Sequence, residues 1–266
     1  MKLCEAVKLL RDAGIENARD EARQIFLYLC GKSHADIINP ETESPLADEA
    51  VSRRCRREPL QYIIGTVGFF KEEYKVTRAA LIPRPDTEIL VEYAVKNMRS
   101  GEKFLDICTG SGCIAISTLK NTDKTTCTAI EISRDACLLA EENAKRNGVE
   151  KRLEILNMDA LSGAVEGEYF ALLSNPPYVK YSDYEKLDEE IFHEPKIAFV
   201  AKDDGLLFYK RLIPTYKSKI KKGGFMAFEI GYDEGEALKS IAKENALPCE
   251  ILKDYSGNDR VAIIKM

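Results

Sequence analysis

From about residue 80 onward, short apolar runs alternate with longer stretches of helical periodicity. The runs lie at 103–107, 125–130, 152–157, 168–174, 224–230, 247–253 and 260–265. Helical stretches fill 112–121, 133–147, 206–221 and 233–246, and another runs from about Asp86 to Arg99. Strands joined through helices need crossover connections, so most of them pair in parallel and both faces of the sheet are covered. Only "YSGND" (255–259) separates the last two runs, which is too short for a crossover and forces an antiparallel pair. The expected fold is α/β: a seven-stranded, mostly parallel, Rossmann-like sheet with one reversed strand at the end. The fourth run is expected beside the first, across the point where strand order reverses.

Residues 1–58 read as a small all-helical domain. Leu3, Val7 and Leu10 share one face, and Ala22, Ile25, Phe26 and Leu29 share another. The stretch "PLQYIIGTVGFFKEEYKV" (59–76) is rich in aromatic and β-branched residues and carries Gly65 and Gly68. It reads as a hairpin or linker, which divides the chain into 1–58, 59–80 and 81–266. No apolar run approaches the ~20 residues that span a bilayer, and Glu5, Lys8 and Arg11 interrupt the stretch a signal peptide would need. A cytoplasmic protein with no membrane partner is expected. A net charge of −5 weighs against naked nucleic acid as the main partner, although "RRCRRE" (53–58) is locally basic. Eight scattered cysteines without a C-x-x-C pair, and only two histidines, suit neither a disulfide framework nor a metal site.

"FLDICTGSGCIAIS" (104–117) is a strand, a glycine turn and a helix start. Gly110 and Gly112 let backbone approach a ligand where a Cβ would clash. Glu131 closes the next strand, at the distance where an acid can accept hydrogen bonds from ribose hydroxyls. Asp159, just past the third strand, can receive an adenine amino group, and Ala160 can offer its N–H to the ring. Each has a plain alternative: a tight turn, a solvated charge, a helix cap. Together, at the ends of three successive strands, they indicate an adenosine-containing ligand. Ala115 can take the place of the third glycine of a dinucleotide loop, which leaves a nicotinamide cofactor open. Asp106 directly before the loop would repel a pyrophosphate but suits a cation, which favours S-adenosylmethionine.

The fourth run ends in "NPPY" (175–178). Two prolines lock φ near −65° and donate no hydrogen bond. The Asn175 side-chain oxygen and the Pro176 carbonyl then make two acceptors at fixed spacing, matching the two protons of a planar NH₂ group. Tyr178 offers a flat face for stacking. The motif reads as a rigid clamp for a planar amine. The plain alternative is a proline-rich turn with Tyr178 in the core.

Combined with "LQYIIGTVGFF" (60–70), "LIPRPDTEILVE" (81–92), "EPKIAFVAKDDGLLFY" (194–209), "FEIG" (228–231) and "DYSGNDRVAI" (254–263), these motifs resemble the protein-(glutamine-N5) methyltransferases of class I peptide chain release factors. The resemblance covers nearly the whole chain. It implies an S-adenosylmethionine-dependent methyltransferase domain over 81–266 and a substrate-recognising helical domain over 1–58. The implied substrate is the glutamine side chain of the release factor Gly-Gly-Gln motif, and the implied by-product is S-adenosylhomocysteine. By the same likeness Asn175, Pro176 and Tyr178 are the catalytic residues. Asp106, Cys108, Thr109, Gly110, Ser111, Gly112, Glu131, Ile132, Asp159, Ala160 and Asn175 would hold the cofactor. Asn175, Pro176, Pro177, Tyr178, Arg84 and Pro85 would meet the substrate.

Arg84 and Pro85 also have a structural reading, a loop whose Asp86 caps the next helix, and both readings stay open. The chain departs from many family members in having Cys108 and Cys113 where glycine and a small residue are usual. Glu229 and Asp259 match family positions too, but read as a strand-end charge and a turn residue. His193 has no visible partner. A monomer free of nucleic acid is expected. The competing activity is an adenine-N6 or guanine-N2 nucleic-acid methyltransferase, which the acidic segment around "VKYSDYEKLDEEIFHEP" disfavours.

Overall fold

Seven strands share one sheet in the computed structural model, which describes residues 1–266. Ahead of them β1 (Thr66–Phe69) and β2 (Glu72–Lys75) form a two-stranded sheet. The large sheet comprises β3 (Lys103–Ile107), β4 (Thr126–Glu131), β5 (Leu153–Asn157), β6 (Tyr169–Ser174), β7 (Ile220–Glu229), β8 (Cys249–Lys253) and β9 (Asp259–Lys265). Its spatial order is β5-β4-β3-β6-β7-β9-β8. As expected, β6 pairs with β3 in parallel, in a register running from Phe104 opposite Ala171 to Ile107 opposite Ser174. The reversed strand is β9. It slots between β7 and β8 and pairs antiparallel with both, so it lies one position in from the edge. Every residue of β6 is buried, as a parallel strand covered on both faces requires.

The chain divides into two units. The first is Met1–Thr66 with Asp188–His193. Its helices α1 (Leu3–Asp12), α2 (Ala18–Gln24), α3 (Ala47–Cys55) and α4 (Leu60–Ile64) bury Leu10, Ile25, Phe26, Val51 and Ile63 among them. Helix α4 corrects the reading of 59–65 as hairpin or linker. Pro59 starts the helix, Gly65 ends it in a left-handed turn at φ +88°, and Leu60 and Ile63 enter the helical core. Residues 188–193 join this unit through Glu190, which pairs with Arg54 at 3.0 Å and Arg57 at 3.3 Å. Arg54 is buried and also pairs with Glu21 at 2.5 Å, so its charge is compensated from two directions.

The second unit is Val67–Leu187 with Glu194–Met266. It contains α5 (Glu88–Asn97), α6 (Cys113–Lys120), α7 (Arg134–Arg146), the single turn α8 (Tyr181–Tyr184), α9 (Leu207–Tyr216) and α10 (Gly235–Glu244). Adjacent strand residues serve opposite faces of the sheet. Phe104, Leu173 and Ala227 enter one apolar layer with Leu90 and Ile116. Leu105, Leu172 and Phe228 enter the other with Tyr209 and Leu238.

Candidate active site

Residues that follow β3, β4, β5 and β6 line one cavity of about 280 Å³. Cys108, Thr109, Gly110 and Ser111 come from the first loop, Glu131 from the end of β4 and Ile132 from the loop after it, Asp159 and Ala160 from the third, and Asn175 and Pro177 from the fourth. Arg84, Thr87, Pro195, Ile197 and Phe208 complete much of the wall. No helix is long and apolar enough to cross a membrane, and no side-chain cluster suits a metal ion.

The glycine loop is held from two sides. Glu131 accepts the Gly110 N–H at 2.9 Å on one carboxylate oxygen and the Ser133 N–H at 2.9 Å on the other. It thereby ties the loop to the end of β4, and each oxygen keeps a further lone pair for a ligand hydroxyl. Cys108 stands in the left-handed region at φ +61°, where a side chain is strained and glycine is not. Gly112 differs from expectation: it is not on the cavity wall. At φ +82°, a Cβ there would lie 3.0 Å from Ile116 Cδ1 and 3.2 Å from Ala140 Cβ, so it permits helix packing, not ligand approach.

Asp106 also differs. It is fully buried behind the loop and absent from the wall. Its Oδ2 accepts the Thr109 hydroxyl at 2.5 Å and the Ala115 N–H at 3.1 Å, while Oδ1 has no partner. Burial pushes its pKa up to about 7 against the pull of those bonds. A carboxyl raised in this way stabilises the fold fully only below its unfolded pKa near 3.8, and loses that contribution as pH rises through about 7. Relative to Asp106→Asn, the wild type is expected to lose about 2–4 kcal/mol of unfolding free energy between acid and mildly alkaline pH. Denaturant titrations of both proteins across that range check this, and parallel profiles would contradict it.

Asp159 is exposed, lines the cavity, and accepts the Leu161 N–H at 2.8 Å, so it closes its own turn while facing the site. Arg84 lies on the wall and pairs with Glu194, a buried carboxylate that also accepts the Ile82 N–H at 2.9 Å. Pro85 is exposed and off the wall. Asp86 does not cap α5; it lies 3.4 Å from Arg260 instead.

Asn175 is half-buried at the end of β6. Its Nδ2 donates to Thr87 Oγ1 at 3.3 Å, and the Thr87 hydroxyl lies 2.5 Å from Glu229 Oε2. Tyr178 donates its hydroxyl to Glu229 Oε1 at 3.2 Å. The Tyr178 ring packs against the core layer beneath β6 and is not a wall residue, so it anchors the turn in place of the expected stacking face. Burial and the Glu229 carboxylate drive its pKa well up. Pro176 is buried and likewise off the wall. Thr87, Glu194 and Glu229 were not singled out as site residues by sequence, because their partners lie 88, 112 and 142 positions away.

The residues present fit S-adenosylmethionine. Two carboxylates, Glu131 and Asp159, line the wall for hydroxyl and amino groups, with Ile132 and Met158 as apolar neighbours. The one cationic wall residue, Arg84, is neutralised by Glu194. The buried, unpartnered Oδ1 of Asp106 favours a positive charge nearby. A strand order reversing at β3/β6, with these groups along the carboxyl edge, is the arrangement of a Rossmann-like methyltransferase.

Comparison with known proteins agrees. The methyltransferase small domain family matches residues 85–209, and the PrmC N-terminal domain family matches residues 3–65. A methyltransferase from Pyrococcus furiosus shares the fold, with a TM-score of 0.55 and 19% identity over 72% of this chain and 86% of that one. A release factor glutamine methyltransferase of Thermodesulfovibrio yellowstonii is 37% identical over 256 residues, 92% of this chain and 91% of its own. That of Moorella thermoacetica is 35% identical over 268 residues, 97% and 95% of the two chains. The chain is thus an S-adenosylmethionine-dependent methyltransferase by fold and site. It belongs to the release factor glutamine methyltransferase family.

Proposed function

We propose that this protein methylates the side-chain amide nitrogen of the glutamine in the Gly-Gly-Gln motif of a class I peptide chain release factor. The observation that carries the reading is Asn175 on the wall of the cavity, with its amide nitrogen already engaged by Thr87 and its oxygen left to face a ligand. S-adenosylmethionine supplies an electrophilic methyl group on a sulfonium sulfur and leaves as S-adenosylhomocysteine.

The chain's own residues hold and orient. Glu131 takes the ribose hydroxyls, Asp159 and the Ala160 N–H take the adenine edge, and the 108–111 loop closes on the methionine part. Asn175 Oδ1 and the Pro176 carbonyl accept the two protons of the incoming amide. An amide nitrogen is a poor nucleophile because its lone pair is delocalised. Two fixed acceptors raise its electron density and aim it, that orientation supplies much of the acceleration, and the nitrogen sheds one of its two protons to solvent as it gains the methyl. Tyr178 and the two prolines keep the spacing of the acceptors. Arg84, held by Glu194, borders the entry for the protein substrate. We assign the helical unit to recognition of that substrate. The protein is expected to act as a cytoplasmic monomer without nucleic acid, in keeping with its net charge of −5.

A methyl-transfer assay with radiolabelled donor tests this. It offers a class I release factor, its Gln→Ala variant and oligonucleotides as acceptors, and locates the label by mass spectrometry. Label is expected on one glutamine of the intact factor. Label on the oligonucleotides, or undiminished label on the Gln→Ala variant, would overturn the reading.

A further inference from the structure

Glu229 ends β7, is buried off the wall, and bonds to the wall residue Thr87. Its two oxygens face two donors: Thr87 Oγ1 at 2.5 Å and the Tyr178 hydroxyl at 3.2 Å. We propose that Glu229, acting through Thr87, fixes which end of the Asn175 amide faces the methyl acceptor. This rests on the reading of Asn175 as the amide clamp and adds the residues that set its polarity.

The logic is one of donors and acceptors. An ionised carboxylate only accepts. The single Thr87 proton is therefore spent on Glu229, which leaves Thr87 Oγ1 able only to accept from Asn175. Of the two ends of the Asn175 amide, only the nitrogen can meet an acceptor. Nδ2 consequently lies against Thr87 at 3.3 Å, and Oδ1 is turned the other way. Without a fixed acceptor at position 229, the Thr87 proton is free to turn toward Asn175. The amide can then flip and present NH₂ to a substrate NH₂, a pairing that makes no hydrogen bond. The geometry presents both carboxylate oxygens to hydroxyl donors, Oε2 to Thr87 and Oε1 to Tyr178. Burial first, with Asp86, raises the pKa of Glu229, against the pull of those two bonds and of the Arg260 charge. Tyr209 donates to the Glu229 backbone carbonyl at 2.9 Å and also meets Glu234, and the buried Cys113 thiol is close enough to feel the Glu229 charge.

Two near-isosteric changes in the full-length protein test the proposal. Thr87→Val removes the hydroxyl, and Glu229→Gln removes the obligate acceptor. Each is expected to lower the single-turnover methyl-transfer rate about 10–100-fold, the usual scale for residues that orient a contacting group. The Kd for S-adenosylmethionine, measured by calorimetry, should move less than about threefold. Thr87→Ser should recover most of the loss. The double change should cost no more than the larger single one, because both act on one relay. The side-chain amide resonance of Asn175, assigned by its disappearance in Asn175→Ala, should shift in both variants of the substrate-free, isotope-labelled protein. Wild-type rates in both single variants, or additive losses with that resonance unmoved, would overturn the relay. If the wild type labels no release factor at all, the activity reading fails by itself. The Asn175 resonance then still decides: shifted in Thr87→Val it supports the relay, unmoved it refutes it.

Discussion

Asn175→Ala is expected to lower the methyl-transfer rate by about 10²–10³-fold, the range seen when one preorganised hydrogen-bonding group is removed from a reacting centre. The loss should fall on the chemical step. Asn175 contributes one residue to a cavity whose other groups, Glu131, Asp159 and the glycine loop, are placed by bonds that do not involve it. Calorimetry should therefore find the cofactor Kd within about threefold of the wild type. Stability should also change little. The lost bond to Thr87 is long, 3.3 Å, and Thr87 keeps its stronger bond to Glu229. Single-turnover transfer to a release factor is the measurement to make. A rate near that of the wild type would show that the two-acceptor clamp is not what activates the amide. A weakened cofactor Kd with an unchanged limiting rate would instead make Asn175 a cofactor contact only.

Much of this site could be read from local pattern, and the parts that could not share a cause. The strands were legible because buried parallel strands are short apolar runs between helices, and the placing of the fourth strand beside the first followed from the reversal of strand order. The glycine loop, Glu131, Asp159 and NPPY were legible because each is a short motif at a strand end. The bonds that tie Gly110 to Glu131, Asn175 to Thr87 and Tyr178 to Glu229 are long-range and leave no periodic trace. Glu229 reads as a strand-end charge, yet it lies on a buried strand beneath Asn175 and Tyr178. Asp86 reads as a helix cap, yet Arg260, remote in sequence, competes for it. Asp106 reads as a ligand contact because it directly precedes the loop. Its place on a fully covered strand turns it inward to Thr109 and Ala115 instead. Residues 60–64 are aromatic and β-branched, which favours strand, but Leu60 and Ile63 gain more by entering the helical core. In each case a tertiary contact decided what local preference left open.

The same principle makes Gly205 a position where a single methyl group should do damage at a distance from the wall. The loop carrying it has three consecutive residues in the left-handed region: Asp203 at φ +61°, Asp204 at φ +54° and Gly205 at φ +90°. This sharp turn brings the buried Gly205 against the backbone of Tyr178, the last residue of NPPY. A Cβ at 205 would overlap the Tyr178 carbonyl oxygen and lie 2.6 Å from Glu234 Oε1. Neither neighbour can withdraw easily. Val179 is pinned on both sides, its N–H to the Phe199 carbonyl at 2.8 Å and its carbonyl to the Ala201 N–H at 3.1 Å. Glu234 is held by the Gly231 N–H at 2.8 Å and the Tyr209 hydroxyl at 3.3 Å. Relief must come from moving the Tyr178 peptide, and with it the spacing of the Asn175 and Pro176 acceptors. Gly205→Ala is expected to cost about 2–4 kcal/mol from strained φ and overpacking together, lowering Tm by about 5–15 °C. The transfer rate should fall about 10²-fold at temperatures where the variant is still folded, since misplacement by an ångström is enough for a loss of that size. Gly257→Ala is the control: at φ +88° it carries the same backbone strain, but its Cβ meets nothing within 4 Å. Calorimetry and the transfer assay on both variants separate the two causes. If Gly205→Ala loses no more Tm and no more rate than Gly257→Ala, close contact with Tyr178 does not hold the clamp in place.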